Sequence, residues 1–242
     1  MNANSSALSG TDVSSKQAPM SPFRPTSLAA GVFYLLTFIS IPTFALYHSV
    51  REPNFITGTG PDTSVIIGGI LEIIVALSGI GTAVVLYPLL RKQNETLALG
   101  LVASRVLEAG TIFIGVAFLL SVVTLRRQGV GADGLMASHA LLALYDRIFL
   151  LGQSFLPAVN DVLLGLLLYQ SRLVPRTLSL IGIIGALPLV AGYTAILFGL
   201  IARDSPLAGL AAVMVALFEF SLGIYLVVWG FRPSRLTSDF QS

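Results

Sequence analysis

The chain contains no cysteine. That excludes disulfides, thiolate zinc sites and iron–sulfur clusters, and it leaves the redox compartment open. Charge is scarce as well: only 11% of the 242 residues are Asp, Glu, Lys or Arg, where a soluble domain carries about 25%. Histidine occurs twice, as His48 and His139, and neither lies deep in an apolar run. Paired haem ligands on facing helices are therefore excluded. The metalloprotease pattern H-E-x-x-H is missing, and no Ser–His arrangement falls within an apolar run. Tyr145-Asp146 matches the first half of an intramembrane aspartyl protease signature, but no Gly-x-Gly-Asp follows in a later apolar segment. Asp146 and Asp161 share one predicted helix about 22 Å apart by rise, too far for a dyad. The net charge of +2 comes with no dense Lys/Arg cluster, so nucleic acid is excluded as a partner.

What the chain has instead is apolar length. It is 55% hydrophobic with a mean hydropathy of +0.85. Too few polar side chains remain to cover a globule of this size, so the lipid bilayer is the expected solvent and partner. Residues 1–26 are Ser-, Asn- and Pro-containing without period and read as a disordered tail. Six apolar runs follow, at about 28–47, 64–90, 97–125, 147–169, 177–201 and 207–229. A signal peptide competes for the first run; the long preceding region, the near-full span and the lack of an A-x-A site favour an anchoring helix. Pro42 is expected to kink it. The short helical pattern at 135–145 either lies at the interface or extends the fourth span. Residues 232–242 read as a short polar tail. The fold class is thus all-α, a six-span bundle over 27–231.

Polar residues inside the runs are few and therefore informative. The third run carries Arg105 and Glu108, spaced i,i+3 on one helix face, with Thr111 one step further. The fourth carries Gln153, Pro157, Asn160 and Asp161 as one stripe, in which Pro157 frees the carbonyl of Gln153. The sixth carries Glu219. The second carries Glu72 in a stripe of small residues, Gly68 or Gly69, Ala76, Gly79 and Ala83, that suits close helix packing. Glu72, placed nearer the interface, is expected to be protonated or hydrated.

Basic residues near the run ends divide eight (Lys16, Arg24, Arg91, Lys92, Arg172, Arg176, Arg232, Arg235) against five (Arg51, Arg126, Arg127, Arg147, Arg203). The bias predicts both termini on the cytoplasmic side of a cell (inner) membrane. With that topology Arg105, Glu108, Asp161 and Glu219 fall roughly 14–18 Å from the cytoplasmic boundary, while Glu72 falls about 12 Å below the opposite face. Arg105 is expected to meet a carboxylate from another helix. It neutralises one of three, so another is expected to be protonated, hydrated or bound to a cation.

Two further patterns add to this reading. The third run contains Arg105-Val106-Leu107-Glu108-Ala109. The fourth ends in Gly165-Leu166-Leu167-Leu168-Tyr169-Gln170-Ser171, followed by Leu173-Val174-Pro175-Arg176 and Gly182. Over about residues 27–231 the chain resembles a bacterial six-span membrane protein family, domain of unknown function 4386. The resemblance implies a helical bundle and carries no activity with it.

Three functional classes follow. The first is a non-enzymatic membrane protein built around the polar cluster Arg105, Glu108, Asp161 and Glu219. The second is a small transporter or channel that uses those carboxylates for protons or cations; the missing half-to-half repeat counts against it, and Pro157 for it. The third, an intramembrane enzyme, has no supporting motif. No cofactor is expected, protein partners are not readable, and self-association stays open.

Overall fold

A computed structural model describes residues 23–238. The chain forms six span-length helical segments, and among the described residues there is no strand. The first is broken in two: α1 (Arg24–Leu36) passes through a 3-10 stretch at Thr37–Ser40 into the short α2 (Thr43–Leu46). The predicted kink is present, and it begins upstream of Pro42. The proline ring excludes the carbonyl of Phe38 four residues back, and that carbonyl accepts from the Ile41 N–H instead, at 3.2 Å. Helix α1 also starts inside the stretch expected to be disordered. Pro25 in its first turn supplies a φ suited to a helix start. The remainder of that expected tail, 1–22, lies outside the described residues, as do 239–242.

The second and third spans are α3 (Thr63–Leu90) and α4 (Glu95–Arg127), joined by a tight turn in which the Asn94 side chain caps the Leu97 N–H at 3.0 Å. The fourth span is continuous from α5 (Leu135–Phe149) through a π-helical stretch, Leu150–Phe155, into α6 (Leu156–Ser171). The pattern at 135–145 thus extends the span. The fifth and sixth spans are α7 (Arg176–Leu197) and α8 (Pro206–Val228), and a final turn, α9, covers Arg235–Ser238. Helix α7 stops four residues short of the expected end. Gly199 takes a left-handed φ of 71°, and the Leu200 N–H closes back on Ala195 at 2.8 Å, a glycine-terminated cap.

Both described chain ends and the turns α3–α4 and α6–α7 lie on one face of the bundle, here the turn face. The connections after α2, α4 and α7 lie on the other, the loop face. Large apolar side chains such as Leu77, Leu107, Leu187 and Leu217 are exposed around the bundle, as a lipid-facing surface requires.

The two faces are packed differently. The main core fills the turn-face half, where Leu86, Leu90, Leu101, Leu164, Leu167 and Phe218 are all at most 2% exposed. Here α1 crosses α8 at Gly31 and Gly223. A Cβ on Gly31 would stand 2.8 Å from the Gly223 carbonyl oxygen, a backbone atom that cannot step aside. Gly31→Ala is therefore expected to destabilise the bundle by about 1–3 kcal/mol, measurable as a lowered unfolding midpoint in detergent. Gly182 and Gly185 serve the same end between α7 and α8, against Phe218 and Met214.

In the loop-face half a second core gathers Tyr47, Val65, Leu119, Val122 and Tyr145 from the first four spans, and takes no residue from α7 or α8. The loop-face ends of α7 and α8 thus stand away from this core, and the intervening space is a cavity. The loop at 52–62 is fastened over the end of α4 by Asp62, which accepts from Arg126 at 2.9 Å and Arg127 at 2.8 Å.

Candidate functional site

The polar residues of the third, fourth and sixth spans converge. Arg105 is 3% exposed; it donates to Glu108 Oε2 at 3.0 Å within α4 and to Glu219 Oε1 of α8 at 2.6 Å. The expected contact with a carboxylate of another helix is therefore present. Asn160 Nδ2 of α6 donates to the same Glu108 oxygen at 2.8 Å. Tyr34 of α1, whose ring lies 5.6 Å from the guanidinium carbon, adds a hydroxyl at 3.5 Å from Arg105. Three helices thus meet at one guanidinium, and Asn160 ties a fourth, α6, to it through Glu108.

Asp161 lies within electrostatic reach of Glu219, Arg105 and Glu108 but shares no hydrogen bond with them. It is fully buried, and neither carboxylate oxygen has a partner among the described residues. Glu108 Oε1 and Glu219 Oε2 also accept no hydrogen bond there, but unlike the Asp161 oxygens they are not sealed off. Both residues line a cavity of about 200 Å³, together with Arg105, Gln153 and Pro157; it also reaches Thr37, Phe38, Ser40 and the exposed Ile41 at the break in the first span.

This inner chamber adjoins a larger one of about 740 Å³ that runs to the loop face. Gln153, Leu189 and Ala212 line both. Gln153 sits in the π-helical stretch, a feature found frequently at functional sites. Part of its origin is local. Pro157 cannot donate a backbone bond, and it stands at the first turn of α6, where that loss is least costly. The helix widens just before it. Gly152 in the widened turn lies directly against Thr111 of α4, leaving no room for a side chain.

The rim of the outer chamber carries four charges, Arg51, Asp146, Arg203 and Asp204. Asp146 accepts from Arg51 at 2.7 and 3.2 Å and from Arg203 at close range. The hydrogen bonds to Asp146 raise the Arg51 guanidinium above its ordinary value, outweighing the lowering effect of burial, so it stays charged. The ion pairs tie the α7–α8 connection to the rest of the loop face across the cavity.

Glu72 does not join the cluster. It is 1% exposed and accepts from the Tyr145 hydroxyl at 2.9 Å, with Tyr47 edge-on to Tyr145 at a centroid distance of 5.7 Å. Tyr47, Tyr145 and Gln153 surround it, so it is sealed behind the wall of the outer chamber and itself lines neither chamber. His139 lies in α5 on the loop-face side, away from both chambers. Sequence reasoning missed Tyr34 and the Arg51–Asp146–Arg203 bridge. A tyrosine inside an apolar run was a readable sign for the first. The bridge joins residues up to 152 positions apart and left no local pattern.

Fold and site together define a polytopic α-helical integral membrane protein with a buried ion-pair cluster beside a cavity. Within that class the family is specific: the model described as Domain of unknown function (DUF4386) matches residues 29–230, and the chain belongs to this family. No curated protein and no solved structure matches the chain.

Proposed function

We propose that this protein is a non-enzymatic carrier that exchanges protons or cations at the cluster of Arg105, Glu108, Asp161 and Glu219. The observation that supports this reading most is the chain of two adjoining chambers leading from the loop-face rim to the free oxygens of Glu108 and Glu219. A purely structural ion pair has no need of such a route. Intramembrane charges beside a cavity mark ion and substrate paths. The packed turn-face half supplies the barrier that a carrier needs on its other side.

The orientation follows the basic residues: turn face to the cytoplasm, with both termini there, in the cell membrane. Loading from the loop face is then loading from outside. The non-enzymatic part of the proposal rests on the lining, in which Ser154 and Ser205 have no histidine or cysteine among their neighbours in the outer chamber. The test is proton and monovalent cation flux in proteoliposomes under imposed gradients. Flux above that of protein-free vesicles is expected. Its absence across the range of gradients would leave the cluster as a packing device.

A further inference from the structure

The charge and lining of the two chambers define what fits them. The inner chamber holds two carboxylates, Glu108 and Glu219, against the single cation Arg105, a formal excess of one negative charge. The rim of the outer chamber balances, with Arg51 and Arg203 against Asp146 and Asp204. The space as a whole therefore favours one positive charge and disfavours an anion.

Its walls are mostly apolar and rich in rings. Tyr47, Tyr145, Phe149, Tyr193 and Phe44 line the outer chamber. Two of these rings already carry cations. The Arg203 guanidinium lies 4.1 Å from the centroid of Phe149, and that of Arg51 lies 5.8 Å from the centroid of Tyr145. Aromatic faces attract positive charge, most strongly a delocalised charge that sheds water readily. The bound arginines show this property at work in the wall itself. The volume of about 740 Å³ is within the range of pockets that hold drug-sized molecules.

We infer that the double chamber is a binding site for a monovalent organic cation with a hydrophobic body. The body lies among the rings of the outer chamber, and the charge faces the free oxygens of Glu219 and Glu108 past Gln153. The inference rests on the carrier reading above and names its substrate class. Binding draws the cation's charge toward the inner chamber, where the carboxylate of Glu219 also serves Arg105.

The test uses tetraphenylphosphonium and tetraphenylborate, ions of nearly the same shape and opposite charge. Binding of each is measured by equilibrium dialysis against the full chain in zwitterionic lipid nanodiscs, with protein-free nanodiscs subtracted. Saturable binding of the phosphonium and none of the borate is expected. Phe149→Leu keeps the apolar volume and removes the ring, and it is expected to weaken phosphonium binding about three- to tenfold. Equal binding of the two ions, preference for the borate, or no saturable binding by the wild type would each overturn the inference. So would full phosphonium affinity in a folded Phe149→Leu variant. The carrier reading is judged separately: flux without phosphonium binding removes this substrate class alone, and phosphonium binding without any flux leaves a binding site and removes the carrier.

Discussion

Replacing Arg105 with glutamine is expected to destabilise the bundle by about 3–5 kcal/mol, because it removes one partner of a buried ion pair and leaves the others uncompensated. Glutamine can still reach one carboxylate oxygen, but it brings no charge. Glu108 and Glu219 would then face each other across the position where the guanidinium stood, 3.0 and 2.6 Å from it in the native protein. The loss is expected to appear as a lowered unfolding midpoint of the purified protein in detergent. The double variant Arg105→Gln/Glu219→Gln distinguishes a charge effect from a packing effect. It removes the excess carboxylate along with the cation, and recovery of most of the lost stability is expected. A single variant as stable as the wild type would show that Arg105 does not organise the helices that meet at it and at Glu108.

The second large effect concerns transport. Glu219→Gln is expected to lower proteoliposome flux about tenfold or more, since a barrier increase of only about 1.4 kcal/mol has that effect on a rate. Glu219 is the carboxylate that α8 brings to the inner chamber, and its second oxygen accepts no hydrogen bond from the described residues. Glutamine keeps the shape and cannot release or take up a proton. Asp161→Asn is expected to reduce flux as well. The fully buried Asp161 carboxyl next to the pair offers Arg105 an alternative partner when Glu219 is occupied. Glu72→Gln is the internal comparison. That residue is sealed behind Tyr47, Tyr145 and Gln153 and lines neither chamber, so flux is expected to stay at the wild-type level. A loss of flux in Glu72→Gln equal to that in Glu219→Gln would mean that any buried carboxylate matters, and that the chamber does not define the path.

The six spans were legible because apolar length is a local property that lipid enforces on each segment alone. The meeting of Arg105 with another helix was legible for a similar reason. A cation buried in an apolar run needs a partner, and few partners existed. Which of them it meets was not legible. Glu219 and Asp161 have nearly the same depth by rise, yet one pairs with Arg105 and the other does not. Rotation about the helix axis decides this, and it is set by glycine contacts such as Gly182 on Phe218. Glu72 looked like an interfacial carboxyl because depth alone was counted. The tyrosines that cover it come from other spans. The π-helical stretch was half visible: Pro157 marked the break, but its widening before the proline depends on Gly152 meeting Thr111 of α4. The cavity was not legible at all, because it arises from the contacts that α7 and α8 fail to make with the loop-face core.

The lack of cysteine in the natural chain makes the central claim, a path from the loop face to the buried cluster, directly measurable. Single cysteines are placed at Ala212, shared by both chambers, at Ala216 in the inner chamber, and at Leu167 in the packed turn-face core. A membrane-impermeant, positively charged methanethiosulfonate reagent is then added to one side of oriented proteoliposomes at a time. Modification of the first two positions from the loop face only, with Leu167→Cys silent from either side, is the predicted result. Ala216→Cys silent from the loop face, or modified equally from the turn face, would contradict the account.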